Sequence, residues 1–186
     1  QSSVWYADNE DLRNEIIKYI TEIDRRRIHF VKQRALIEQD DEEEIISTSD
    51  INNDTPYVPE YKPIAISKKK TTESSSYSRS TSKKKGALKT ANYLCNINPN
   101  HKSFITKNGH PYMEAHHLIP LNAQDLFKTS LDVDANIVCL CPLCHRKLHY
   151  GENIDSELKK LYDERKELLK LSGIDASFDE VKEFYK

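Results

Sequence analysis

The stretch that decides the fold runs from Tyr112 to Gly151, and three pieces of it carry most of the information. They are Glu114-Ala115-His116-His117-Leu118-Ile119-Pro120, then Asn136-Ile137-Val138-Cys139-Leu140-Cys141-Pro142-Leu143-Cys144-His145, and the closing His149-Tyr150-Gly151. Four of the chain's seven histidines and three of its four cysteines fall inside it. Cys141 and Cys144 form a Cys-x-x-Cys knuckle, half of what a tetrahedral zinc site needs. Cys95 and His101 supply the upstream half of a Cys3His set. Cys139 competes for the fourth position; otherwise it is a small buried hydrophobe. A module with so few large apolar residues has a thin core, which a structural metal commonly reinforces.

The histidines need a separate account. His145 and His149 are four apart in a predicted helix over 144–150, so they project from one face. His116 and His117 are neighbours at the end of a strand predicted over 112–115, so they point to opposite sides. One can join His145 and His149 around a metal while the other faces a substrate. Phosphodiester hydrolysis needs that division: a cation stabilises the phosphoryl and leaving oxygens, and a histidine takes a proton from water. Asn136 offers an amide oxygen that would hold the tautomer of such a base. Taken singly, each residue also reads as an ordinary polar surface or turn position.

In this order and spacing, from about Tyr93 to Gly151, the motifs resemble the HNH endonucleases, closest to the zinc-containing, restriction-type branch that includes McrA-like enzymes. The resemblance implies an α+β fold: a small ββα-metal module with a structural zinc, flanked by helices and a disordered linker. It implies a general base at His117, metal ligands at His116, His145 and His149, and an Asn136 that orients His117 or braces the loop. Zinc would be held by Cys95, His101, Cys141 and Cys144. Cys95 departs from the pattern in lacking a close cysteine partner. The implied activity is metal-dependent hydrolysis of DNA, leaving a 5′-phosphate and a 3′-hydroxyl, in a restriction or defence protein. The cofactors are one divalent catalytic cation (Mg, Mn, Ni or Zn) and the structural zinc. A non-catalytic zinc module that binds nucleic acid or protein is the rival; it has no need for the four histidines.

Outward from the module, composition divides the chain. Hydrophobic residues are 37%, charged residues 31% and mean hydropathy −0.75, so part of the chain lacks the apolar surface to fold alone. Residues 1–45 read as an amphipathic helix segment, with Leu12, Ile16, Ile20, Ile23, Phe30 and Ile37 near one stripe and Asp8 or Asn9 as cap. Residues 46–91 read as a flexible, basic Ser/Lys-rich linker, and residues 92–186 as the nuclease domain with its C-terminal helices. The net charge of −2 hides this layout: residues 1–59 carry 7 basic and 14 acidic groups, whereas 60–91 carry 9 and 2. That basic block reads as a tether, as a strap for a phosphate backbone, or as both. Arg146, Lys147 and Lys128 lie near the histidines in sequence, as phosphate contacts or as solvated surface.

Lys107-Asn108-Gly109 predicts a hairpin turn, and 125–128 a helical turn. Gly151 stops the helix before it. A helix is predicted over 155–171 with Ile154, Leu158, Leu161, Leu168 and Leu171 inward, ended by Gly173. Ser177 and Glu180 form a capping box for a last short helix. No apolar run approaches a membrane span. Four cysteines without a signal-peptide pattern suit a reducing, cytoplasmic setting. The chain begins at Gln1 rather than Met, which reads as a piece of a protein with a missing N-terminal domain. DNA is the expected partner, and two cuts on a duplex would be easiest for a homodimer.

Overall fold

The computed structural model of the chain describes residues 46–51, 55–66 and 80–186, together with Asn14, Ile17, Lys18, Ile20 and Thr21. At its centre two short strands pair antiparallel: β1 (Glu114–His117) and β2 (Ile137–Leu140). The register sets His116 opposite Val138 and His117 opposite Ile137. Every residue of both strands is buried. β2 is a continuous apolar run, as a strand covered on both faces should be. β1 is polar yet equally buried, so its side chains need partners inside the protein. The histidine pair lies within β1; the predicted strand stopped at residue 115.

Two strands alone are marginal, and the rest of the chain encloses them. Around them pack α1 (Thr81–Thr90), α2 (Pro142–Tyr150), α3 (Asp155–Leu171) and α4 (Phe178–Glu183). Leu88 of α1, Leu118, Ile119 and Leu131 of the loops, and Leu158, Leu161 and Leu169 of α3 are fully or almost fully buried. The class is α+β, as expected. Among the described residues no helix is long and apolar enough to cross a membrane.

The linker expected over 46–91 is corrected for its described parts. Residues 46–48 lie along the free edge of β1: Ala115 N donates to Ile46 O (3.0 Å) and Thr48 N to Met113 O (3.0 Å). Residues 55–66 are tied down at Asp134, which accepts from Tyr57 Oη (2.7 Å) and Glu60 N (2.9 Å). Residues 81–90 form α1, capped by the Ser80 hydroxyl, which accepts from Lys83 N. Few but well-placed anchors do this: Ile46, Ile51, Ala87 and Leu88 are buried. Gly86 lets the chain approach closely, since a Cβ there would sit 2.3 Å from the Tyr57 ring. The Lys68–Lys70 run and the Ser/Thr stretch after it lie outside the described residues. So does most of the predicted N-terminal helix; Asn14, Ile17, Lys18, Ile20 and Thr21 are helical and exposed.

Elsewhere the local signals hold, with shifts. The hairpin turn is present, with Gly109 at φ +81° and Thr106 N donating to His110 O. The helical turn expected at 125–128 is a 3-10 turn at Leu121–Leu126. α3 has the predicted bounds, but Leu169 is buried where Leu171 was expected, and Leu171 is exposed. Gly173, at φ +77°, ends it with Ile174 N donating back to Leu169 O. Gly151 does end α2, but not through a left-handed conformation: its φ is −85°. A Cβ there would meet Lys147 O at 2.6 Å, so close approach explains the glycine.

Candidate functional site

Two clusters of donor atoms flank α2. In the first, single donor atoms of Cys95, His101, Cys141 and Cys144 all lie within 4.8 Å of one another. His101 Nδ1 is 3.2 Å from Cys144 Sγ and 3.6 Å from Cys141 Sγ. Neighbouring ligands around a tetrahedral zinc are separated by roughly 3.5 Å, given bonds of about 2.0–2.3 Å. Local structure explains the convergence. Asn92 and Tyr93 adopt positive φ and swing the chain out of α1 toward Cys95. The turn at Asn98–Asn100 turns back His101. Cys141 is the N-cap of α2, its sulfur accepting from Cys144 N, and Pro142 follows at the first helical position. Cys139 is fully buried in β2 and outside the cluster. Burial and the neighbouring sulfurs push the Cys144 thiol well above its ordinary value, and burial raises Cys141 too. A bound cation removes that penalty by taking the thiolates as ligands. The set could hold a structural metal ion of the zinc type.

The second cluster is His116, His145 and His149, again with donor atoms within 4.8 Å of one another. The three ring centroids are 4.9–5.1 Å apart. His145 Nε2 and His149 Nε2, one helical turn apart on α2, approach to 3.1 Å. Glu114 Oε2 accepts from His145 Nδ1 at 2.6 Å, across from β1. Burial would raise the Glu114 carboxyl, but the bond and charge of His145 outweigh it and hold it below the usual range. His116 is wholly buried, and burial, reinforced by the charges of His145 and His149, holds it well below its ordinary value. It is thus kept as the neutral imidazole that binds metals. Its Nε2 is 2.8 Å from the Tyr185 hydroxyl, and its Nδ1 is buried with no hydrogen-bond partner among the described residues. That orphaned atom beside two converging imidazoles fits a bound cation.

His117 points to the other side of β1. Its Nε2 lies 3.2 Å from Asp132 Oδ1, and both side chains are buried. Burial would raise Asp132; the His117 bond and charge, then Lys83 and the Ser80 amide, bring it below its usual value. The expected link from Asn136 to His117 is absent. Asn136 Oδ1 accepts from Ile119 N (2.8 Å), and its Nδ2 donates to Ile119 O (2.8 Å) and Leu131 O (2.9 Å). The amide is used up on the backbone, bracing the loop that follows the histidine pair, which was the alternative reading. Sequence reasoning missed Asp132, Glu114 and Tyr185 as partners. Glu114 was detectable, since positions two apart on a strand share a face with His116. Asp132 and Tyr185 carry no local signal.

Of the cationic candidates, Arg146 is exposed, with its guanidinium 5.9 Å from the Tyr150 ring centroid. Lys128 is exposed as well. Lys147 is paired with Glu157 of α3.

No family profile matches the chain. A curated relative does: the type IV methyl-directed restriction enzyme EcoKMcrA of Escherichia coli K12, 35% identical over 86 residues. Over those residues the chain is similar to that enzyme. The likeness takes in 46% of this chain and 29% of that enzyme, so the chain spans less than a third of its relative's length. Among solved structures, the type IV phosphorothioation-dependent restriction endonuclease ScoMcrA aligns with a TM-score of 0.41 at 26% identity. That alignment covers 52% of this chain and 18% of the other.

Proposed function

We propose that this chain is the nuclease module of an McrA-like restriction or defence protein, an HNH endonuclease that hydrolyses DNA phosphodiester bonds with one divalent cation. The observation that carries the reading is the division made by β1. Adjacent histidines go to opposite sides, one to a three-imidazole cluster and the other to a carboxylate. His116, His145 and His149 would hold the cation, which when bound supplies charge stabilisation at the phosphoryl and leaving oxygens. Glu114 holds the His145 ring in place from behind. His117 is the general base. Asp132 accepts its Nε2 proton, leaves Nδ1 to take a proton from the attacking water, and stabilises the imidazolium that forms. Zinc on Cys95, His101, Cys141 and Cys144 would fix the start of α2, and hence the two histidines that α2 presents. Arg146 and Lys128, both exposed, would contact phosphates; Lys147 is paired with Glu157 of α3. The four free cysteines suit the reducing interior of a cell. A homodimer would cut both strands of a duplex.

The test is plasmid nicking by native and His117→Ala protein, with Mg²⁺, Mn²⁺, Ni²⁺ or EDTA. Unmodified, methylated and phosphorothioated DNA would be compared, because the relatives' names point to modified substrates. We expect cation-dependent cleavage that falls by about 10²–10⁴-fold in the variant, with zinc content unchanged and the variant still folded. Equal cleavage by the variant, or none by the native chain on any substrate, favours the non-catalytic zinc module.

A further inference from the structure

We propose that Tyr185 is a positioning residue that selects the ring tautomer of His116 and so makes the buried Nδ1 its metal-binding atom. The inference rests on the three-histidine cluster being a cation site. Tyr185 follows α4 and lies 69 positions from His116 in sequence. Its hydroxyl lies 2.8 Å from His116 Nε2 and donates to Leu118 O at 2.8 Å. A phenol has one proton to give, and a backbone carbonyl can only accept. The proton therefore goes to Leu118, and what the oxygen offers His116 is a lone pair. His116 answers with Nε2–H. A neutral imidazole carries one N–H, so Nδ1 is left bare.

That atom is buried with no hydrogen-bond partner among the described residues. The opposite tautomer fails at both ends: Nδ1–H would be a buried donor with nothing to bond, and Nε2 would compete with Leu118 for the phenol proton. His145 is set by a different device, its Nδ1 proton going to Glu114 and its Nε2 left to face His149 Nε2 at 3.1 Å. Two rings are thus oriented from behind, one by a carboxylate and one by a phenol. The phenol is carried on a segment anchored by Val181 and Phe184, both buried. α4 is then a supporting wall of the cluster as well as a cover for the core.

The experiment uses the full chain with zinc in the Cys3His site. In protein free of the second cation, ¹⁵N spectra of the His116 ring should show a protonated Nε2 and an unprotonated Nδ1; the reverse pattern overturns the proposal. Mn²⁺ would then be titrated calorimetrically into native and Tyr185→Phe protein. We expect affinity about 10- to 100-fold weaker in the variant, at equal zinc content and with both proteins folded at the titration temperature. Equal Mn²⁺ affinity in the two overturns the positioning role. A native chain that takes up no Mn²⁺ overturns the nuclease reading instead, and the His116 spectrum still decides the tautomer.

Discussion

A carboxylate behind a histidine changes what the histidine can do. At His117 it fixes the ring and compensates the charge that proton uptake creates, so Asp132→Asn should slow cleavage while leaving Mn²⁺ affinity intact. The loss should stay within the about 10²–10⁴-fold that a general base contributes, and single-turnover nicking reads it. The same residue has a stability signature. Its folded pKa is depressed, so its contribution is complete above the unfolded value of about 3.9 and is lost as pH falls through the lower folded value. Urea unfolding of Asp132→Asn between about pH 5 and pH 2 should therefore give a flatter stability curve than native protein; an unchanged acid slope contradicts this. Asn136 should behave in the opposite way. Asn136→Ala leaves Ile119 N, Ile119 O and Leu131 O without the amide, and should cost about 3 kcal/mol of stability. The histidines and cysteines were legible because metal ligands declare themselves by spacing: His145 and His149 by one helical turn, Cys141 and Cys144 by one knuckle. Asp132 was not, because its claim on His117 depends on how a fourteen-residue loop returns to β1.

Elements were legible where one periodicity or one cap decides them. α3 and the capping box of α4 came out as the pattern demands. α1 did not, since Thr-Ser-Lys-Lys-Lys has linker composition and only Ala87 and Leu88 face the core. α1 packs on both strands, and another segment that also resembles linker braces it: Gly86 lies against Tyr57, and Lys89 Nζ donates to Thr55 O. Gly86→Ala should force the Tyr57 ring away and loosen 55–66 from Asp134. We expect a loss of about 1–3 kcal/mol and faster limited proteolysis within 55–66. Unchanged proteolysis would show that the ring can be displaced without releasing the strap.

For the whole molecule, the boundary of the folded unit moves. A fragment of residues 92–186 matches the domain read from composition but omits Ile46, Ile51, Ala87 and Leu88 and exposes the edge of β1 that residues 46–48 cover. We expect residues 46–186 to unfold cooperatively and residues 92–186 not to, as read by calorimetry. The basic block is also less available than its composition suggests. Lys84 is buried, and Lys83 donates to the Asp132 carbonyl beside the His117–Asp132 pair. Finally, α2 begins in one cluster and ends in the other: Cys141 and Cys144 at its first turn, His145 and His149 along the face that follows. If both clusters fill as proposed, an ion held by the cysteines would steady the turn from which the histidines project, and a chain made where zinc is scarce would, on that reading, hold the second cation less tightly.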